Sequence, residues 1–372
     1  MASTGQAQGP PLRRPAGRHA LAPKRGPNRG GFMKSLGVGI IGTGWVAGSH
    51  IEAFEANPET GIRAILSRDK ERAHAYAETH GLTRARAYDR LEQILDDPSV
   101  QIVSIATPHH LHAQQAVAAA KAGKHLMLEK PVALTLAELR ELEAAVRAAR
   151  VKTVVSFVLR WNPLFEMIKS FLAQGVVGNL FLAEVDYLHG IGPWYAQYEW
   201  NIKKEMGGSS LLTAGCHAVD ALRWFVGRRA VEVSACANFS PQNPLRYEYE
   251  PNSITTVRFE GGAIGKVTSS IECVGPYTFN IELFGDQGTI RNNQVFSKRW
   301  LGQKNWATFP TILPDSGDVS HHPFKNQVNH FVDCILNDRE SHANLADAVE
   351  THEICFASEI SARARRPVTL PL

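Results

Sequence analysis

The sequence predicts an α/β protein, with a doubly wound parallel sheet first and an α+β domain with a large, mainly antiparallel open sheet after it. Three observations predict this. From residue 36 to about 157, short apolar runs alternate with stretches of helical length. Those runs are apolar almost throughout, as strands are when helices cover both faces of a parallel sheet. After Arg160 strands cluster, and a partly alternating hairpin at 253–272 turns at Gly261-Gly262, which fits an antiparallel sheet.

In order, "LGVGIIG" (36–42), bounded by glycines, predicts a buried strand and "TGWVAGSHIEAFEAN" a helix. "IRAILS" (62–67) is the second strand. "RDKERAHAYAETHG" is a helix with Asp69 as N-cap and Gly81 past its end. "VQIVSIATP" (100–108) is a strand, followed by a helix ending at Gly123. "HLMLE" is a strand, and Thr135 with Glu138 three residues on forms a capping box for the helix after it. "KTVVSFVL" completes the parallel set, whose crossovers are expected to be right-handed. Then come a helix at about 163–174, the strand "NLFLAEVDYLHG", and an aromatic-rich loop at 189–206. A helix at 208–226 ends at Gly227, several strands follow, and helices at 322–338 and 344–363 close the chain. The expected division is a disordered basic tail at 1–34, a first domain at 35–157 and a second at 158–372.

The chain has 372 residues, 44% hydrophobic and 20% charged, which is ordinary for a globular protein. Net charge is +4, but the tail alone carries Arg13, Arg14, Arg18, Lys24, Arg25, Arg29 and Lys34 and no acid. The remainder is near neutral, which argues against a nucleic-acid partner. The tail is too rich in Pro, Gly and Arg to bury a core. It has no apolar run of the kind a secretory signal needs. No segment has the length of a membrane span. Five scattered cysteines without a CxxC fit a reducing cytoplasm rather than a disulfide framework.

The first strand runs into "GTGWVA", a GxGxxA turn between a strand and a helix. That context makes it a dinucleotide-binding, Rossmann-type turn. Gly42 permits the tight turn, Gly44 lets a pyrophosphate approach the backbone, and Ala47 lets helix and strand pack closely. Thr43, Trp45 and Val46 belong to the same cofactor loop, at a helix N-terminus that favours phosphate. At the end of the second strand, Ser67 holds the place where NAD enzymes carry a carboxylate, and Arg68 follows. The reading is NAD(P), leaning to NADP. On the 208–226 helix, Thr213, His217, Asp220 and Trp224 fall at helical spacing and should share one face.

Together "GTGWVA", "TPHHLH", "EKP" (129–131), "RWNP" (160–163) and "GGSSLLTAGCHAVDALRW" resemble the Gfo/Idh/MocA oxidoreductases. They run in the family's order and cover nearly everything from residue 36 on. The resemblance implies a nicotinamide cofactor across the strand ends, touching Thr107, Pro108, His109, His112, Glu129, Lys130, Arg160 and Trp161. It implies Lys130 and His217 as the catalytic pair, with Asn162, Trp194, Tyr195 and Thr213 on the substrate side. It implies oxidation of a secondary hydroxyl of a sugar, glycoside or cyclitol, or reduction of the ketone, and a homo-oligomer (dimer or tetramer) paired through the second sheet. The family commonly has Asp where this chain has Thr213, so His217 stands without a charged partner. The proton acceptor is then His217 alone, or Lys130 in its neutral form. His109, His110 and His112 have no accompanying carboxylate or cysteine and do not read as a metal site. Lys130-Pro131 is a candidate cis bond. Two other classes compete: a glycoside-cleaving enzyme that oxidises C3 transiently on bound NAD, and a non-catalytic dinucleotide-binding regulator. Retention of both Lys130 and His217 argues against the regulator.

Overall fold

The apolar runs of the first part form one parallel sheet in the computed structural model, which describes residues 36–315 and 322–372. The tail at 1–34 and His321 lie outside the described residues. The elements in order are β1 (Leu36–Ile41), α1 (Trp45–Glu55), β2 (Thr60–Leu66), α2 (Lys70–Thr79), β3 (Arg86–Tyr88), α3 (Leu91–Leu95), β4 (Ile102–Ile105), α4 (His112–Lys121), β5 (His125–Leu128), α5 (Leu136–Ala149) and β6 (Thr153–Val155). The sheet order is β3-β2-β1-β4-β5-β6, all parallel. The chain therefore reverses direction across the sheet between β1 and β4, and open α/β sheets bind ligands at such a switch point. Asp69 caps α2 by accepting from the Arg72 N–H at 2.7 Å. Thr135 and Glu138 make both bonds of the capping box. β3 and α3 were not expected from sequence.

Strand register sets which residues meet at the sheet's edge. Ile41 pairs with Leu66 and with Ile105, Ile105 with Leu128, and Leu128 with Val155. The residues just beyond, Gly42, Ser67, Ala106, Glu129 and Ser156, thus leave the sheet side by side at one edge.

The second part contains α6 (Pro163–Ala173), β7 (Leu180–Leu188), α7 (Tyr198–Asn201), α8 (Lys204–Gly207), α9 (Cys216–Val226), β8 (Ala230–Asn238), β9 (Asn252–Phe259), β10 (Ile264–Ser270), β11 (Thr278–Gly285), β12 (Gly288–Arg291), β13 (Gln294–Ser297), β14 (Ala307–Thr308), α10 (Phe324–Leu336), α11 (Leu345–Ala364) and β15 (Val368–Thr369). Nine of these strands form an open sheet in the order β14-β13-β12-β11-β7-β10-β9-β8-β15. It is antiparallel except where β7 meets β10. Burial alternates along β9, as in a sheet with one covered face. α9 and α11 supply the cover. α10 turns back instead, and its Phe324, Val328, Phe331 and Val332 join the core of Val38, Ile40, Ile51 and Phe54 under the first sheet. Among the described residues no helix is long and apolar enough to cross a membrane.

Arg160 ties these layers together. Its guanidinium is fully buried and donates from Nε to Asp220 Oδ2 at 2.8 Å. It also contacts Asp347 and the His342 carbonyl. Thr351 donates to Asp220 from α11 at 3.1 Å. Replacing one member would leave buried charge uncompensated. Arg160→Met should lower the stability to urea by about 3–5 kcal/mol, while the protein that remains folded keeps its affinity for cofactor.

Candidate active site

The glycine turn after β1 has the geometry a phosphate needs. Gly42 sits at φ +107°, and any Cβ there would lie 2.5 Å from the Ala106 carbonyl oxygen. Gly44 faces open space, its nearest neighbour on that side being the same oxygen at 3.8 Å. α1 starts at Trp45, so its free N–H groups point at that space. Ala47 is fully buried beneath the turn.

At the end of β2, the Ser67 hydroxyl meets Thr43 Oγ1 at 3.1 Å, and Arg72 donates from Nε to the same Thr43 oxygen at 2.9 Å. The Arg68 side chain is 80% exposed. Asp69 is occupied as a cap. Two guanidinium-bearing residues and a hydroxyl therefore stand where a ribose carboxylate partner would be. Arg72 was not expected from sequence.

At the end of β5, Glu129 is buried and accepts from His50 Nε2 at 3.1 Å. His50 Nδ1 lies 2.7 Å from the Ser104 hydroxyl. Burial would raise the Glu129 carboxyl, but the His50 hydrogen bond and the charges of His50 and Lys130 outweigh it and hold the group below its ordinary range. Lys130 reaches the other way and donates from Nζ to the Thr213 carbonyl at 2.8 Å. The Lys130-Pro131 peptide is cis. His112 is clamped between the Pro131 and Thr107 carbonyls, each at 2.7 Å, and so pins this loop to the one after β4. His109 stands edge-on to Trp200, and burial above all holds its proton affinity well below that of an ordinary imidazole.

The helix expected at 208–226 is interrupted. Leu211–Gly215 form a π turn, and α9 begins only at Cys216. The wider turn takes Thr213 out of that spacing, while His217, Asp220 and Trp224 keep it within α9. The Thr213 hydroxyl donates to the Gly207 carbonyl at 2.8 Å and to Asn201 Oδ1 at 3.2 Å. Asp220 faces Arg160, and Trp224 stacks on His342. His217 faces the cavity, 8% exposed, with no hydrogen-bond partner at Nδ1. Burial first, then the Lys130 ammonium and His322, push its proton affinity well below the usual value, so it is neutral at pH 7.

These groups line one cavity. Trp45 and Val46 come from the glycine turn, Thr107, His109 and His112 from the β4 loop, Glu129 and Lys130 from β5, and Ser156 from β6. Tyr187, His189, Tyr195, Gln197, Asn201, Thr213, His217 and Tyr277 come from the second part. His322 and Phe324 close it. Of the other expected residues, Gly42, Thr43, Gly44 and Ser67 form the turn beside it, and Pro108 opens the short 3-10 turn leading to His112. Four belong elsewhere. Arg160 is held in the ion network, and Trp161 packs in the core against His330 and His342. Asn162 caps α6 by accepting from the Leu164 N–H at 2.9 Å. Trp194 is 67% exposed outside the lining, against His189 and Tyr195. Their sequence position just after a parallel strand, or in the aromatic loop, suggested the cavity; burial with partners distant in sequence decided otherwise for Arg160 and Trp161, and a local helix cap for Asn162. Sequence reasoning missed His50, Ser156, Tyr187, His189 and Tyr277. The alternation of Tyr187 and His189 at the end of a strand was the available signal.

Comparison with known proteins settles the family. Residues 36–157 match the model for the oxidoreductase family with an NAD-binding Rossmann fold, and 165–291 match the GFO/IDH/MocA C-terminal domain. The chain belongs to the Gfo/Idh/MocA oxidoreductases. It is similar to an uncharacterised oxidoreductase of Synechocystis, 37% identical over 69% of this chain and 71% of the relative. It is also similar to levoglucosan dehydrogenase of Pseudarthrobacter phenanthrenivorans, 28% identical over 69% of this chain and 73% of the relative. A solved levoglucosan dehydrogenase in complex with NADH and levoglucosan superposes with a TM-score of 0.81 at 25% identity, covering 91% of this chain and 100% of that one. This protein is thus an oxidoreductase of the dehydrogenase and reductase class with a nicotinamide-binding Rossmann part.

Glu129 makes a prediction about pH. A carboxyl held low in the folded state adds stability above the ordinary carboxylate range, and that stability is lost as pH falls through its folded value. His50→Leu should cost about 1–3 kcal/mol at pH 7. In urea melts the gap to the unaltered protein should narrow as pH falls through the carboxylate range.

Proposed function

We propose that this protein is an NAD(P)-dependent dehydrogenase that moves a hydride between nicotinamide and a secondary hydroxyl, or its ketone, on a sugar, glycoside or cyclitol. The observation that carries the reading is the meeting of Lys130 and His217 in one cavity at the carboxyl edge of the parallel sheet. Nicotinamide supplies the hydride acceptor or donor. The chain's residues handle the proton and the charge. Neutral His217 takes the hydroxyl proton. Lys130 spends one ammonium hydrogen on Thr213 and has two more for the developing alkoxide. Anionic Glu129 next to Lys130 offsets the ammonium charge. In the ketone direction the roles reverse.

Levoglucosan dehydrogenase, as a relative that takes a sugar, supports the substrate class. Gln197, Asn201 and the hydroxyls of Tyr195 and Tyr277 can bond sugar hydroxyls, and the ring faces suit a pyranose. The only lysine or arginine among the described lining residues is Lys130, which favours an uncharged substrate over a sugar phosphate. Ser67, Arg68 and Arg72 favour NADP, since a guanidinium can take the 2′-phosphate where a carboxylate would repel it. The division of labour would follow the sheets, with cofactor on 35–157 and substrate and partner copy on 158–372. Phe181, Ile254 and Ile264, exposed on strands of the open sheet, support a dimer or tetramer paired through that sheet. Five free cysteines support a reducing cytoplasm.

The test is a panel of neutral sugars and polyols followed at 340 nm with NAD and NADP separately. Turnover should favour NADP, and Arg72→Ala should raise the KM for NADP about 10-fold or more while sparing NAD. Equal use of both cofactors would remove the NADP preference. His217→Ala should lose about 100- to 10,000-fold in kcat; full turnover in that variant would remove His217 as the base.

A further inference from the structure

Two aromatic rings hold His217. Tyr187, on β7, lies nearly parallel to the imidazole and offset from it, 6.3 Å between centroids with the planes 18° apart. Phe157 meets it edge-on from the loop after β6, at 6.2 Å and 83°. Both rings are buried. Tyr187 is itself backed by Tyr277 at 5.2 Å and by Phe279 edge-on at 6.3 Å, so the face it presents is braced from behind.

No hydrogen bond does this work. Among the described residues His217 Nδ1 has no partner, and the Thr213 hydroxyl is committed to Gly207 and Asn201. The charged and titratable groups that act on His217 are Lys130 and His322, both basic, with the Tyr187 hydroxyl-bearing ring on its face. Asp220, one turn on along α9, points into the Arg160 network. Among the described residues no carboxylate is placed to orient the ring or to stabilise an imidazolium.

We propose that Phe157 and Tyr187 are positioning residues that fix the His217 imidazole by ring packing, in place of an acidic partner. The proposal rests on the reading of His217 as the base. Offset stacking and edge-to-face contacts are directional, so a ring caught between a face and an edge has one favoured plane. The same packing excludes water, which disfavours the charged form. An acidic partner would orient the ring and also stabilise its protonated state. The clamp orients it and keeps it neutral. The acid limb of kcat/KM should therefore lie well below the ordinary imidazole value.

The experiment uses the full chain with Tyr187→Ala, Tyr187→Leu and Tyr187→Phe. Two readouts are taken: the pH profile of kcat/KM, and an NMR titration of the His217 ring in protein carrying labelled histidine, assigned with His217→Asn. Tyr187→Ala should cut kcat by about 10- to 100-fold through misalignment. It should also move both the acid limb and the ring titration upward, towards an ordinary imidazole. Tyr187→Phe keeps the face and should recover most of the loss. Tyr187→Leu fills the volume without a flat face, and stands in if the alanine variant does not fold. An unchanged ring titration in the Ala and Leu variants overturns the clamp, as does Tyr187→Phe being as damaging as Tyr187→Ala. The NMR readout does not depend on turnover. Loss of the base role, seen as full activity in His217→Ala, is thus told apart from loss of the clamp.

Discussion

The hydrogen bond from the Lys130 ammonium to the Thr213 carbonyl is the contact on which the site depends. Lys130 leaves the parallel sheet at the end of β5. Thr213 sits in the π turn that delivers His217. The bond spans 2.8 Å and joins the carboxyl edge of the parallel sheet to the turn that leads into α9. A backbone carbonyl is a good anchor for this purpose. It accepts from the ammonium without neutralising it. On the other side, the backbone N–H of Lys130 donates to Glu129 at 3.3 Å, and Glu129 is held by His50 and, through it, by Ser104. The chain Ser104–His50–Glu129 runs through buried side chains of β4 and α1, so the reactive loop is braced from inside the first sheet.

The protonation states reflect this arrangement. Against burial, the His50 hydrogen bond first and then the neighbouring Lys130 charge stabilise the Glu129 carboxylate as the anion. Burial, with the like charge of that ammonium, lowers the proton affinity of His109, His112 and His217, opposed at His112 by its two carbonyl partners. His109 and His217 both line the cavity with an unpartnered Nδ1, and His217 is the one set between Tyr187 and Phe157. For His112 both nitrogens are taken by carbonyls, and the ring acts as a pin between two loops.

Much of the fold was legible because its signals are local. Apolar runs, the capping box at Thr135 and the glycines at helix ends each report on a few neighbouring residues, and they recur in the structure. β3 has three residues and α3 five, too few for either periodicity to show. The π turn at 211–215 was invisible because apolar spacing there is compatible with a continuous helix, and the wider turn depends on the Gly207 and Asn201 acceptors for Thr213. Within the site, the glycine turn and the Glu-Lys-Pro loop announce themselves by sequence. Arg160 misled because its partners Asp220 and Asp347 lie 60 and 187 residues away. Tyr187, Tyr277 and Ser156 had no signature beyond lying at strand ends. They reach the cavity through the register and packing of two sheets that no local pattern specifies.

The most direct measurement is Lys130→Met, read in two ways on one preparation: NADPH affinity from fluorescence, and hydride transfer in a single turnover at 340 nm with a sugar the unaltered protein accepts. The prediction is that NADPH binds within a few-fold of normal while transfer falls by about three orders of magnitude. Transfer at an undiminished rate with normal NADPH binding would contradict it.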